Sequence, residues 1–149
     1  MTAAGKAALV AVATIAADQA VKALVRSTIE RGDGIDLFLG IELVNVRNRG
    51  IAFGMFQGGG ILLVVFAVVA LVALLVFFAR HQDRPLVWLP TGLLIGGAAG
   101  NLIDRIREGS VTDFFDLSWF PAFNLADVAI TFGVISLLYV LEYGADRRH

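Results

Sequence analysis

The sequence predicts an all-α membrane protein, a four-transmembrane-helix bundle with a small β-rich extension and a short second loop on the same side. The chain is 58% hydrophobic with a mean hydropathy of +0.79, whereas a soluble domain is about half apolar. Four stretches are long enough to cross a hydrocarbon layer about 30 Å thick, which takes about 20 apolar residues in a helix. We therefore interpret residues 1–149 as a single integral membrane domain.

The four predicted spans are residues 7–25, 61–79, 86–103 and 123–141. The second is the clearest, because no charged residue occurs between Gly50 and Ala79 and a helix satisfies its own backbone polar groups in lipid. The first follows Lys6, and its alternative interpretation is a cleavable signal peptide. Its apolar pattern resumes beyond Asp18, which favours a retained helix.

Four spans place the two longer connections, residues 26–60 and 104–122, on one face of the membrane. The opposite face has only residues 1–6, 80–85 and 142–149. Outside the spans, six Lys and Arg residues lie on the first face and five on the second, so the positive-inside rule does not fix the orientation by count. Positive charge is denser in the short segments, which favours their face as the cytoplasmic one.

The connection 26–60 has strand-like patterning. Apolar residues occupy the odd-numbered positions from Ile35 to Leu43, and mostly polar residues lie between them. Such alternation with a period of two predicts a short, half-buried sheet. We expect this sheet to lie at the membrane surface.

The composition excludes several kinds of chemistry. The chain has no cysteine, and both histidines, His81 and His149, lie beyond the apolar spans, so neither a thiol nucleophile nor a zinc site is expected. The net charge of -1 gives no reason to expect nucleic acid. A hard-cation site is an alternative, formed from Asp104, Asp113, Asp116 and Asp127. No ligand-spacing motif supports it, and we predict no metal and no cofactor.

Ionisable residues in membrane helices are costly, so each is a candidate for function. Asp18 and Lys22 are four residues apart and share a helix face. We interpret them as a mutually neutralising pair in which Lys22 extends toward the interface. Asp104, at the end of the third span, is expected to pair with Arg105 or with Lys22. Small residues at four-residue spacing in that span predict close helix packing: Gly92, Gly96 and Gly100.

Asp113 and Asp127 are the strongest candidates for chemistry. Asp113 lies among apolar neighbours such as Val111 and Phe114, so its carboxylate needs a partner, whereas Asp127 alone fits a helix cap. Two carboxylates held together share one proton, because like charges at short distance raise one pKa. One then acts as a base on water and the other as an acid. This chemistry cleaves a peptide bond without a covalent intermediate.

Two other classes of function fit part of the pattern. A small transporter or channel would also bury Asp and Lys in a helical bundle, but near the bilayer midplane. Here Asp104, Asp113 and Asp127 are predicted at one end, and only Asp18 reaches inward. A scaffold that assembles other membrane proteins is the third class, and it would tolerate replacement of Asp113.

Five motifs follow one another along nearly the whole chain. They are Asp18-Gln19 with Lys22, Asn48-Arg49-Gly50-Ile51-Ala52-Phe53-Gly54, Gly96-Gly97-Ala98-Ala99-Gly100-Asn101-Leu102-Ile103-Asp104-Arg105, Val111-Thr112-Asp113-Phe114-Phe115-Asp116, and Phe123-Asn124-Leu125-Ala126-Asp127. Together they resemble the motifs of the lipoprotein signal peptidases, the type II signal peptidases of bacterial inner membranes. The order of the five blocks makes the resemblance specific.

The resemblance implies that Asp113 and Asp127 are the catalytic pair. It implies supporting roles for six other residues: Asp18, Asn48, Asn101, Asp104, Arg105 and Asn124. The implied substrate is a prolipoprotein, cut just before a cysteine that carries a diacylglyceryl group, and membrane lipids are the other expected partner. The implied active site is periplasmic, so both termini are expected in the cytoplasm and both longer connections in the periplasm. We also expect aromatic residues of the second connection to form walls that contact lipid or the signal helix: Phe114, Phe115, Trp119 and Phe120.

Overall fold

In the part of the chain that the structure describes, four long helices overlap the four predicted spans, and a small antiparallel sheet lies at one end of them. The structure is a computed structural model that describes residues 1–50 and 60–143. Its elements in chain order are α1 (Ala3–Thr28), β1 (Gly34–Phe38), β2 (Ile41–Asn48), α2 (Gly60–His81), α3 (Trp88–Glu108), β3 (Val111–Leu117), β4 (Phe120–Phe123) and α4 (Leu125–Tyr143).

Within the described residues, three helices are long and apolar enough to cross a membrane, namely α1, α2 and α4. The remaining helix, α3, is less apolar, because four glycines and Asn101 occupy positions in its interior. Its C-terminal end also carries charged residues: Asp104, Arg105, Arg107 and Glu108. The molecule is therefore a helical membrane protein with three spans evident from length and composition.

Small residues allow α3 to pack closely against α1. A Cβ atom on Gly92 would lie 2.7 Å from the backbone oxygen of Ala7, and one on Gly96 would lie 2.8 Å from that of Ala11. Glycine permits this approach of the two backbones, which a larger residue would prevent. The paired positions rise together along both helices, so α1 and α3 run parallel.

Another side of α3 packs against α4, which runs in the opposite direction. A Cβ atom on Gly97 would lie 2.5 Å from the backbone oxygen of Ala126. Further along, Gly133 of α4 approaches Leu94 of α3. Gly97 thus faces a different helix from its neighbour Gly96, and α3 is enclosed on two sides.

The sheet has the strand order β1-β2-β3-β4, and all of its pairings are antiparallel. The prediction of strands in the first connection is confirmed, but the prediction of a short second loop is wrong. That connection forms β3 and β4, and α4 begins at Leu125 rather than at Phe123. The sequence does not reveal β3, because apolar and polar residues do not alternate along it, and its pairing with β2 is distant in sequence.

The expected half-buried character applies to β2 and not to β1. Val44 and Asn45 of β2 are buried, whereas every residue of β1 is exposed. The two strands are joined by Leu39 and Gly40, which both have positive φ (51° and 77°). Positive φ at both turn residues is typical of the tight two-residue hairpin.

Two apolar clusters hold the opposite ends of the bundle. The cluster far from the sheet joins α1, α2, α4 and the start of α3: Ala7, Phe78, Val87 and Val140. At the other end, Val25 and Ile29 pack against Phe114 of β3. The sheet is thereby fixed at the end of α1, on the face where the polar residues were predicted to gather.

The glycine packing predicts the effect of a single added methyl group. We expect Gly96→Ala to lower the free energy of unfolding by about 1–3 kcal/mol, because overpacking a tight interface has this cost. The new Cβ would meet Thr14 and the Ala11 backbone. Thermal unfolding in detergent measures the effect. The control is Gly5→Ala, whose Cβ meets its nearest neighbour at 3.4 Å, and equal melting temperatures for the two variants would contradict the packing argument.

Candidate active site

Asp113 of β3 and Asp127 of α4 are joined by one residue, Asn124. The Asn124 Nδ2 atom donates to Asp113 Oδ1 at 2.7 Å, and its backbone nitrogen donates to Asp127 Oδ2 at 3.2 Å. In return, the backbone nitrogen of Asp127 donates to Asn124 Oδ1 at 2.9 Å. This reciprocal pair is a capping box at the start of α4. The helix cap therefore also sets the position of both carboxylates.

Asp113 is held by two amides in an apolar setting. Pairing of β2 with β3 brings Asn48 beside it, and Asn48 Nδ2 donates to Asp113 Oδ2 at 3.0 Å. The residue is only 2% exposed. Burial raises the pKa of Asp113 to about 6, against the lowering effect of the hydrogen bonds from Asn48 and Asn124, and the nearby charge of Asp127 raises it further. Asp113 therefore holds a proton up to a higher pH than an ordinary aspartate does.

Asp127 lies in the first turn of α4, where the helix dipole favours a negative charge. Its Oδ1 accepts a hydrogen bond from Asn101 Nδ2 at 2.8 Å. Asp127 also lines two cavities, one of about 370 Å³ between β4 and α4 and one of about 520 Å³ between α2, α3 and α4. Their linings are mostly apolar residues, such as Phe132 in the first and Phe66 in the second. One carboxylate of the pair is thus accessible from apolar space.

A buried ionic cluster lies next to the two aspartates. Lys22 Nζ is 2.8 Å from Asp18 Oδ2 and 3.1 Å from Asp104 Oδ2, and it donates to Asn101 Oδ1 at 3.0 Å. The predicted pair of Asp18 and Lys22 is present, and of the two partners expected for Asp104 the ammonium of Lys22 is the one at ion-pair distance. The prediction that Lys22 extends toward the interface is wrong, because its side chain is completely buried. Three acceptors within reach replace its contact with water.

Asp18 and Asp104 each accept a hydrogen bond from the backbone of a residue that directly precedes one of the two candidate catalytic aspartates. Asp18 Oδ1 accepts a hydrogen bond from the backbone nitrogen of Ala126 at 3.0 Å, next to Asp127. Asp104 Oδ2 accepts one from the backbone nitrogen of Thr112 at 3.0 Å, next to Asp113. The two acids thus connect α1 to α4 and α3 to β3 at the candidate site.

The sequence alone predicts no role for several residues of this network. Gln19 Nε2 contacts Gly100 O at 3.1 Å and Asp104 Oδ1 at 3.0 Å. The Thr112 hydroxyl accepts hydrogen bonds from Arg26 at 3.1 Å and from Arg47 at 3.0 Å. Gln19 and Thr112 adjoin predicted site residues, which is a usable signal. No signal in the sequence marks the two arginines, because they reach Thr112 from distant elements.

The structure brings all eight predicted site residues to this end of the bundle. Seven contact one another or Lys22 directly through side chains: Asp18, Asn48, Asn101, Asp104, Asp113, Asn124 and Asp127. The eighth, Arg105, donates to the Asn101 carbonyl at 3.4 Å and lines the larger cavity together with Asp127. Within residues 1–50 and 60–143, no three acidic or histidine side chains are arranged to hold a metal ion. The Ile51-Ala52-Phe53-Gly54 part of the second motif lies outside the described residues.

The aromatic residues expected to form walls have different surroundings. Trp119 and Phe120 line the cavity between β4 and α4. Phe115 packs between Phe114 and Phe123. Phe114 is only 1% exposed and belongs to the apolar cluster under the sheet, so the expectation that it forms a wall is wrong.

The sequence matches a family model described as Signal peptidase (SPase) II over residues 10–142. A lipoprotein signal peptidase of Moorella thermoacetica is 41% identical over 142 residues, which cover 94% of this chain and 95% of the relative. One from Halothermothrix orenii is 40% identical over 134 residues, which cover 89% of this chain and 92% of the relative.

Two solved structures share the fold. A bacterial membrane enzyme determined by the in meso method at 1.9 Å resolution is 33% identical, with a TM-score of 0.86 and coverage of 93% of both chains. A second, determined at 2.3 Å, is 31% identical with a TM-score of 0.86, and the match covers 97% of this chain and 92% of the other. Because the family model and the relatives extend over nearly the whole chain, the protein belongs to the signal peptidase II family.

Proposed function

We propose that this protein is an aspartyl endopeptidase that removes the signal peptide from diacylglyceryl-modified prolipoproteins, cutting before the lipidated cysteine. Membership of a family of lipoprotein-processing peptidases supports the substrate class. The observation that best supports the aspartyl mechanism is that Asn124 donates hydrogen bonds to the carboxylates of both Asp113 and Asp127. Asp127 is also reached from two apolar cavities, which suits a substrate with a lipid and an apolar helix.

The two carboxylates differ in surroundings, and this difference assigns their roles. Asp113, whose pKa burial raises to about 6, carries the shared proton and acts as the acid. Asp127, at a helix N-terminus, acts as the base. Asp127 takes a proton from water as the water oxygen bonds to the scissile carbonyl carbon, and Asp113 gives its proton to the carbonyl oxygen. The C–N bond then breaks as Asp127 gives the proton that it took from water to the leaving nitrogen, and Asp113 recovers a proton from a hydroxyl group of the tetrahedral intermediate.

We infer that α3 is a fourth span, with the candidate site at the periplasmic face of the inner membrane and both termini in the cytoplasm. At a rise of about 1.5 Å per residue, its 21 residues extend for about 31 Å, which matches the hydrocarbon core. Parallel packing against α1, from Gly92 beside Ala7 to Gly100 beside Asp18, supports the same depth for both helices. The polar end of α3 then lies where the sheet lies.

We expect Asp113→Asn and Asp127→Asn each to lower kcat by at least about 10³-fold, because an amide neither takes nor gives the required proton. Purified variants in lipid are assayed on a lipid-modified precursor. Circular dichroism and melting temperature check that each variant is folded. The control is Asp36→Asn, a change to an exposed carboxylate of the same sheet, which is expected to keep wild-type turnover.

The same assay tests the substrate class. A precursor that lacks the diacylglyceryl group is expected to be cleaved at least about tenfold more slowly at equal bilayer concentration, since two acyl chains hold the cysteine at the membrane. Equal rates for the two precursors would refute lipid selectivity. Wild-type turnover by Asp113→Asn or by Asp127→Asn would refute the aspartyl mechanism.

The raised pKa of Asp113 predicts a decline of kcat/KM on the alkaline side. The proton on Asp113 is lost as pH rises through about 6, so the acid is present below that value and absent above it. In Asn48→Ala the lowering hydrogen bond is gone, the pKa of Asp113 rises further, and the decline moves to higher pH. A pH series of kcat/KM measures both profiles, and a decline that moves to lower pH in the variant would contradict this assignment.

The proposed orientation is tested with single cysteines, since the natural chain has none. We expect a membrane-impermeant thiol reagent to label whole cells when the cysteine replaces Arg31, and not when it replaces Gln82. Both positions are exposed. Labelling after cell lysis controls for reactivity, and the reverse pattern in intact cells would show the opposite orientation.

A further inference from the structure

Lys22 makes one contact that charge neutralisation does not explain. Its ammonium has three acceptors at 2.8–3.1 Å, and only two of them, Asp18 and Asp104, are acids. The third is the amide oxygen of Asn101, whose nitrogen donates to Asp127. An unbroken chain of hydrogen bonds therefore leads from a completely buried cation to one carboxylate of the candidate dyad.

The chemistry of this chain permits one orientation of the Asn101 amide. An ammonium only donates hydrogen bonds and an ionised carboxylate only accepts them, so Oδ1 must face Lys22 and Nδ2 must face Asp127. Asn124 Nδ2 donates to the same Oδ1 at 3.1 Å. A flipped amide would place its NH₂ group against two donors and its oxygen against a carboxylate. Every neighbour named here opposes that flip.

We propose that Lys22 is a positioning residue of the dyad, which holds Asn101 in the one orientation that presents a donor to Asp127. The proposal deepens the proposed function and rests on it, since Asp127 is the base of that mechanism. A donor at 2.8 Å engages one oxygen of Asp127 and fixes the plane of the carboxylate. Misplacement of a reacting group by about 1 Å can lower a rate by about 100-fold, so the effect is expected on kcat.

The charges around Lys22 allow its two roles to be separated. The single variant Lys22→Met leaves Asp18 and Asp104 buried without their cation, and such a loss is strongly destabilising. The double variant Asp18→Asn/Lys22→Met removes one charge of each sign, so the net charge of the cluster is unchanged. Asn at position 18 also keeps an oxygen that can accept from the Ala126 backbone, as Asp18 does. The reference is Asp18→Asn alone, which retains the contact of Lys22 with Asn101.

The experiment compares kcat and KM of the double variant with those of Asp18→Asn, on a lipid-modified precursor in lipid. We expect the double variant to be folded, with KM within about threefold of the reference and kcat lower by about 100-fold. If Lys22 serves only to balance charge, the double variant, whose cluster has the same net charge as that of the wild type, will have a kcat no lower than that of the reference. That result, with an intact melting transition, overturns the proposal.

A second readout does not depend on activity. In ¹⁵N-labelled protein in micelles, the side-chain NH₂ resonances of Asn101, assigned with Asn101→Leu, report the orientation of the amide. We expect them to shift and exchange faster with water in the double variant, and to remain near their wild-type positions in Asp18→Asn. If the wild-type protein cleaves no precursor, the proposed function fails, and these resonances alone decide the role of Lys22. Unchanged resonances in the double variant overturn it.

Discussion

The buried ammonium of Lys22 is the constraint on which the polar end of this protein depends. A charge removed from water must be compensated by partners at short distance, and Lys22 finds them on α1 and α3 as Asp18, Asn101 and Asp104. The two acids also accept hydrogen bonds from backbone nitrogens of α4 and β3. Four elements are thus joined around one cation. The backbone nitrogens belong to Ala126 and Thr112, which directly precede Asp127 and Asp113.

The polarity of α3 follows from the same arrangement. A helix that supplies Asn101 and Asp104 to a buried network, and glycines to two neighbouring helices, has fewer positions left for large aliphatic residues. Its composition is therefore less apolar than that of α2 or α4. Close contact on two sides buries much of its surface, so packing rather than hydropathy is the basis of its stability.

Much of this architecture is predictable from the sequence because its signals are local. Apolar length predicts the helices, and four-residue spacing predicts both the glycine contacts and the pair of Asp18 with Lys22. The strand β3 and the burial of Lys22 are not predictable in this way. The strand exists because β2 lies beside it, and the lysine is buried because Asn101 and Asp104 arrive from a helix about 80 residues later in the chain. The resemblance to a family predicts eight site residues. The hydrogen bonds and ion pairs that join them are visible only in the folded structure.

The bridge through Asn124 has a consequence for biogenesis. The cluster of carboxylates and amides draws on α1, β2, α3, β3 and α4, and α4 follows the other four elements in the chain. Until the first turn of α4 forms, Asn124 has no helix to cap, and Asp113 lacks both a positioned Asn124 and the nearby carboxylate of Asp127. In a nascent chain the network around Asp113 and Asp127 is consequently incomplete until the first turn of α4 has formed, so the two carboxylates acquire their shared neighbour late in synthesis.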